Sequence, residues 1–162
     1  MHVLIADDEP VSRRLLQSYL QKWEYEVTTA QNGAEAWRLF QETNFAIVIT
    51  DWMMPEVDGL ELIRRIRATQ RPGYVHATLL TAKAQKEDLV EGMEAGADDF
   101  LTKPFDRDEL RVRLRAAERI SSMRVGYSSR NSPINSTSSS LSPLTRFSKL
   151  VASYTGAAVG GS

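Results

Sequence analysis

The sequence predicts an α/β domain: a five-stranded, doubly wound parallel sheet with helices on both faces. Two observations carry this. Short apolar runs, Val3-Leu4-Ile5-Ala6, Ala46-Ile47-Val48-Ile49, Ala77-Thr78-Leu79-Leu80 and Phe100-Leu101, alternate with segments of helical apolar spacing. Runs this short and this continuously apolar read as strands buried on both faces. Each run is also closed by polar residues: Asp7 and Asp8, Asp51, Thr81, and Lys103. Ligands of open parallel sheets bind at the carboxyl ends of the strands. One edge therefore collects three carboxylates, a hydroxyl and an ammonium, a set suited to a divalent cation and a phosphoryl group.

The elements follow in order. After the first strand, Glu9-Pro10 offers a helix start, because proline is favoured in the first helical turn. Val11, Leu15, Tyr19 and Trp23 mark one face of that helix, with Leu16 and Leu20 beside it. Tyr25 to Ala30 reads as a strand, and Asn32-Gly33 turns into a helix with Ala36, Trp37 and Phe40 facing inward. The third strand ends at Thr50, before Asp51. A loop with Pro55 then leads past Gly59 to a helix carrying Leu62, Ile63 and Ile66. Arg71-Pro72-Gly73 breaks the chain before the fourth strand. Leu89, Val90, Met93 and Ala97 make the fourth helix, residues 98–102 the fifth strand, and Leu110, Leu114 and Ala117 a last helix to about Ile120. Five β-then-α units with right-handed crossovers give the doubly wound sheet.

Composition divides the chain at that point. Residues 1–120 hold all 21 Asp and Glu against 16 Lys and Arg; residues 121–162 hold four bases and no acid, leaving a net charge of −1. Serine fills 13 of the last 42 positions and the apolar spacing loses its period. Such a segment buries too little surface to offset its ordering entropy. The expected division is thus a globular domain over residues 1–120 and a Ser-rich disordered tail or linker over 121–162. Neither part has the dense basic stripe of a nucleic-acid binder. There is no cysteine for disulfides or thiolate metal sites. With acids by residue 7 and no apolar run of transmembrane length, the expectation is a cytoplasmic protein. Trp23, Trp37 and Met93 read as core, and His2 and His76 lack partners at ligand spacing.

Asp7-Asp8, then Asp51-Trp52-Met53-Met54-Pro55 with Asp58-Gly59, then Thr81-Ala82, then Lys103-Pro104-Phe105 resemble the receiver domain of bacterial response regulators. The likeness runs from about residue 2 to about residue 120. It implies a flavodoxin-like (βα)5 receiver fold and a phosphorylation-dependent switch of a two-component phosphorelay, phosphorylated by a sensor histidine kinase or phosphotransfer protein. By that resemblance Asp51 is the phosphoacceptor, a carboxylate that attacks the phosphorus of a phosphohistidine. Mg2+ (or Mn2+) is held by Asp8, Asp51 and the backbone carbonyl of Met53, with Asp7 holding a coordinated water. Lys103 pairs with the phosphoryl oxygens across a cis Lys-Pro bond, which only a following proline makes tolerable. Thr81 donates to the phosphoryl oxygen, and Phe100 is the switch aromatic that rotates as Thr81 moves. The surface of the fourth helix, fifth strand and fifth helix is then the expected site of a partner or of homodimerisation.

The bland readings differ. Asp7-Asp8-Glu9 as mere helix caps need one acid and leave two unexplained. Lys103 alone would be a solvated residue, and Phe100 alone a sheet-edge apolar residue. Among rival functions, an aspartyl-phosphate hydrolase of the haloacid-dehalogenase type needs a second acid two residues after the nucleophile, where Met53 stands. A flavodoxin-like electron carrier needs a glycine- and hydroxyl-rich phosphate loop where this chain has three acids. Catalysis is therefore expected only in the domain's own phosphoryl transfer and slow dephosphorylation. The junction near Glu118-Arg119-Ile120 also resembles receivers that continue into an output such as a diguanylate cyclase, though no synthase or helix-turn-helix signature follows. A native tail, a linker in a larger regulator and a frame-shifted end all remain open for residues 121–162.

Overall fold

The computed structural model describes residues 1–82 and 85–127, with side chains to residue 123. Five strands, β1 (His2–Ala6), β2 (Glu26–Ala30), β3 (Ile47–Asp51), β4 (His76–Thr81) and β5 (Asp99–Thr102), alternate with five helices. These are α1 (Pro10–Lys22), α2 (Gly33–Glu42), α3 (Gly59–Ala68), α4 (Lys86–Glu94) and α5 (Arg107–Tyr127). The sheet is wholly parallel in the order β2-β1-β3-β4-β5. This is the flavodoxin-like doubly wound arrangement expected from the apolar runs.

The two-residue alternation of a strand sorts side chains between the layers. Val3, Ile5, Ile47 and Ile49 pack against Leu16 and Leu20 of α1 and Leu110, Leu114 and Ala117 of α5. Leu4, Ala6 and Val48 point the other way, onto Ala36 and Phe40 of α2 and Leu62 and Ile66 of α3. Further along the sheet, Ala77, Leu79 and Phe100 meet Leu60 and Ile63 of α3 and the flank of α4. Asp98 ties the amino ends of β4 and β5 to α3: it accepts from Arg67 Nη2 at 2.6 Å and from the Ala77 amide at 2.9 Å.

Two expectations need correction and one is refined. On α1 the buried row is Leu16 and Leu20, whereas Val11 and Leu15 are 73% and 42% exposed. The helix is apolar on two adjacent rows: Leu16 and Leu20 pack in the core with Val3 and Ile5 of β1, and of the other row only Tyr19 and Trp23, at its far end, reach that core. Trp23, Trp37 and Met93 are half-buried and pack on the margins of the core; Trp23 lies under the guanidinium groups of Arg107 and Arg111. The last helix continues past Ile120 to Tyr127, with Ser121 buried 3.5 Å from the Ala46 carbonyl oxygen. The expected boundary falls inside α5, and residues 128–162 of the expected tail lie outside the described residues.

Candidate functional site

Each strand delivers its terminal residue to one edge. The Asp7 amide continues β1 by one bond, to the Ala30 carbonyl at 3.2 Å. That places the Asp7 side chain in the interior, fully buried, with Oδ1 accepting the Glu9 amide at 2.9 Å. Arg13 fixes the same corner by donating to the Asp7 carbonyl at 2.7 Å. Asp51 closes β3 and is 8% exposed. Lys103 follows β5 through a cis bond to Pro104. Its Nζ lies 3.0 Å from Asp7 Oδ2 and 3.0 Å from Asp51 Oδ2. Asp8 is exposed, yet it, Asp7 and Asp51 each offer a carboxylate oxygen within 4.8 Å of the others.

The capping alternative accounts for one oxygen only, Asp7 Oδ1, which takes the Glu9 amide at the start of α1. The N-cap of α1 is Glu9, its side chain makes no capping bond, and Pro10 occupies the first turn. Asp8, Asp51 and the second oxygen of Asp7 have no part in the cap.

Electrostatics follow from burial and crowding. Burial pushes the Asp51 carboxyl up from the ordinary carboxylate range; Lys103 pulls it down, Asp7 and Asp8 push it up again, and the net direction is upward. Burial depresses the Lys103 ammonium, but its bonds to Asp7 and Asp51 and their charges outweigh that and hold it above its usual value. Three carboxylates thus face one ammonium. The surplus negative charge, presented entirely by oxygens, is the donor set of a hard divalent cation such as Mg2+.

A cavity of about 380 Å3 opens over this edge, lined by Asp51, Thr81, Ala82 and Lys103, with Trp52 and Met53 alongside. Thr81 ends β4 and is buried, and its carbonyl accepts the Lys103 amide at 2.8 Å. The sequence-derived residues Asp7, Asp8, Asp51, Thr81, Lys103 and Met53 therefore converge. Phe100 does not join them. It lies in the α3–α4 layer, 3% exposed, as expected for a residue on the face away from the carboxylates. A larger cavity, about 660 Å3, sits at the opposite edge between His2, Phe45, Arg71 and Tyr74. Among the described residues no acid lines it, and Arg71 is spent on the Phe40 and Thr43 carbonyls at the end of α2. The acids and the ammonium line the smaller one.

The sequence marked Gly59 within a motif but not the contact it makes, and it did not mark Gly92. A Cβ on Gly59 would overlap the Asp51 carbonyl oxygen and lie 3.0 Å from Leu79 Cδ1. Gly59 also donates to the Trp52 carbonyl at 2.9 Å, so the backbone of the acceptor strand is clamped from α3. On the far side, a Cβ on Gly92 of α4 would sit 2.6 Å from the Phe100 ring. An isolated glycine inside the helical run Glu91-Gly92-Met93 is the one signal that pointed there. The acids Glu9, Asp88 and Glu91 also line the cavity, and nothing in their spacing set them apart.

Comparison with known proteins adds a family. The profile of the response regulator receiver domain matches residues 3–115. The transcriptional regulatory protein SrrA of Staphylococcus aureus is 40% identical over 114 residues, which are 70% of this chain and 46% of that protein. The chain therefore spans about half the length of the curated relatives it matches. Among solved structures, the chemotaxis protein CheY4 of Vibrio cholerae is similar at 32% identity and a TM-score of 0.68, over 72% of this chain and 97% of that one. The response regulator TrrA of Thermotoga maritima, in complex with Mg(2+)-BeF, is similar at 38% identity and a TM-score of 0.63, with the same coverage.

Proposed function

This chain belongs to the response regulator receiver domain family, the phosphorylation switches of two-component systems, and from that premise we propose how its own residues take and read the phosphoryl group. Asp51 is the acceptor. One carboxylate oxygen forms a bond to the phosphorus of a phosphohistidine as the P–N bond breaks and the imidazole leaves with a proton. The observation that carries this is Lys103, held 3.0 Å from both Asp51 and Asp7 across the carboxyl ends of three strands. A fixed ammonium there neutralises incoming phosphoryl oxygens without having to be recruited at the moment of reaction.

Asp8, Asp51 and the Met53 carbonyl would hold Mg2+, and the buried Asp7 would orient a water on it. When present, the cation screens the phosphoryl charge from the carboxylates. Thr81, lining the same cavity, donates to a phosphoryl oxygen. Its movement is coupled through Leu79 and Phe100 to α4.

The partners follow from the exposed faces. Val11 and Leu15 on α1 and the exposed Met53 present apolar surface on elements that meet at the acceptor edge, which suits a histidine kinase or phosphotransfer protein. Val90 and Val112 are exposed on α4 and α5, where a second copy or an output partner binds. The receiver unit extends to the end of α5 at Tyr127. It works in the cytoplasm, where its phosphodonor is charged. The test is labelling with acetyl phosphate and Mg2+. One acid-stable, alkali-labile phosphoryl group is expected, and none in Asp51→Asn. Undiminished labelling of Asp51→Asn would sink the assignment.

A further inference from the structure

The loop between β3 and α3, residues 52–58, carries Met53, and its far side rests on α2. Gly33 is the first residue of that helix and is buried. A Cβ on Gly33 would overlap the Val57 carbonyl oxygen and lie 2.8 Å from the Val57 carbonyl carbon and 2.9 Å from Val57 Cβ. The obstacle is largely backbone, so no side-chain rotation relieves it. Either the helix or the loop must retreat.

The helix is poorly placed to do so. Asn32 accepts the Glu35 amide at 2.7 Å while the Glu35 carboxylate accepts the Gln31 amide at 2.8 Å, a reciprocal cap that fixes the first turn. Ala36 and Phe40 are then sunk in the core at 0% and 1% exposure. The loop is pinned at both ends, by the Trp52 amide on the Leu80 carbonyl and the Gly59 amide on the Trp52 carbonyl, both at 2.9 Å. Between those pins Val57 donates to the Pro55 carbonyl at 2.9 Å, and Glu56 is held at φ 67°, a conformation that non-glycine residues rarely adopt. A push at Val57 is therefore taken up by residues 53–57, the segment that includes Met53.

We propose that Gly33 is a positioning residue for the metal centre: by lacking a side chain it seats the Val57 peptide against α2, and that seat fixes the backbone of Met53 beside Asp51. The inference rests on the reading of the Met53 carbonyl as a ligand. Groups that orient metal ligands from behind typically change metal affinity by about 10- to 100-fold when altered.

The test is a Mg2+ titration of the whole chain, followed by calorimetry and by the fluorescence of Trp52, which borders the site. Gly33→Ala is expected to bind about tenfold more weakly. Ala36→Gly, three residues further along α2, loosens the cluster that Ala36 shares with Met54 and Val57 but adds no atom against the Val57 peptide; it should melt earlier and bind Mg2+ like the unsubstituted protein. Unchanged affinity in Gly33→Ala overturns the proposal, as does an equal loss in Ala36→Gly. If Gly33→Ala does not fold, the unsubstituted protein still decides. Coupling is reciprocal, so Mg2+ should shift the Gly33 and Ala34 amides together with those of Met53 and Val57. Shifts at Met53 with none at Gly33 overturn it. No Mg2+ binding by the unsubstituted protein, or unchanged binding in Asp8→Ala, is a different result: the site reading itself then fails, and the proposal with it.

Discussion

The corner around Asp51 and the flank under α4 both depend on a glycine with no room for a side chain, yet they are built to opposite ends. At Gly59 the atom in the way is the Asp51 carbonyl, part of a strand with a buried neighbour on each side. At Gly92 it is the end of the Phe100 ring. A carbonyl in a central strand cannot yield, whereas a ring can change rotamer. The helices differ in the same sense. α3 begins with Asp58 accepting the Glu61 amide at 2.8 Å and buries Gly59, Leu60, Leu62, Ile63 and Ile66. α4 has no side-chain cap, and Gly92 is its only buried residue. Under the proposed function the chemistry falls on the rigid corner and the readout on the pliable one.

Gly59→Ala is the harshest test of that contrast. Overpacking a site that cannot relax should destabilise the fold by roughly 3 kcal/mol, read by urea denaturation. A loss below about 1 kcal/mol would mean that the Asp51 corner gives way and is not the fixed frame described.

Gly92→Ala should do far less. The alanine gains about 1 kcal/mol of helix propensity and loses a similar amount by displacing the Phe100 ring. Net stability should therefore change by under about 1 kcal/mol. In a Phe100→Leu background the ring clash is gone and only Leu79 Cδ2, 3.1 Å from the added Cβ, still crowds it, so the same substitution should stabilise. A double-mutant cycle with no coupling between the two positions would break the link between α4 and β5.

The smallest effect expected is on the metal-free protein. Burial raises the Asp51 carboxyl above its unfolded value, so its contribution to stability is complete below the unfolded pKa and is lost as pH rises through the folded one. At neutral pH the ionised group therefore opposes folding. Asp51→Asn should raise the melting temperature without metal by a few degrees and abolish the stabilisation by Mg2+. A lower melting temperature would show that the Lys103 pair outweighs burial.

The strand ends were legible because a parallel sheet turns linear order into position: Asp7, Asp8, Asp51, Thr81 and Lys103 each follow an apolar run, and all reach one edge. The close approaches were not. Gly33 meets Val57 and Gly92 meets Phe100 only after α2 and α4 have docked, and no spacing along the chain encodes those meetings. The face of α1 was ambiguous because Val11-Leu15 and Leu16-Leu20 are both helical rows; only docking on the sheet selects the second. The end of α5 was hidden by composition. Ser121 opens the serine-rich segment, but here it is a buried helical residue beside Ala46.

Amide hydrogen exchange tests the division between a rigid chemical corner and a pliable readout most directly, because it reports local opening element by element. It should be measured with and without Mg2+ and beryllofluoride, a mimic of the phosphoryl group on Asp51. In the free protein, Lys86–Glu94 should exchange faster than Gly59–Ala68. Adding the mimic should change protection across α4 and β5 while the amides of α3 stay as they were. Slow exchange of α4 that matches α3 and does not respond to the mimic would contradict the proposed path from Asp51 to the α4 surface.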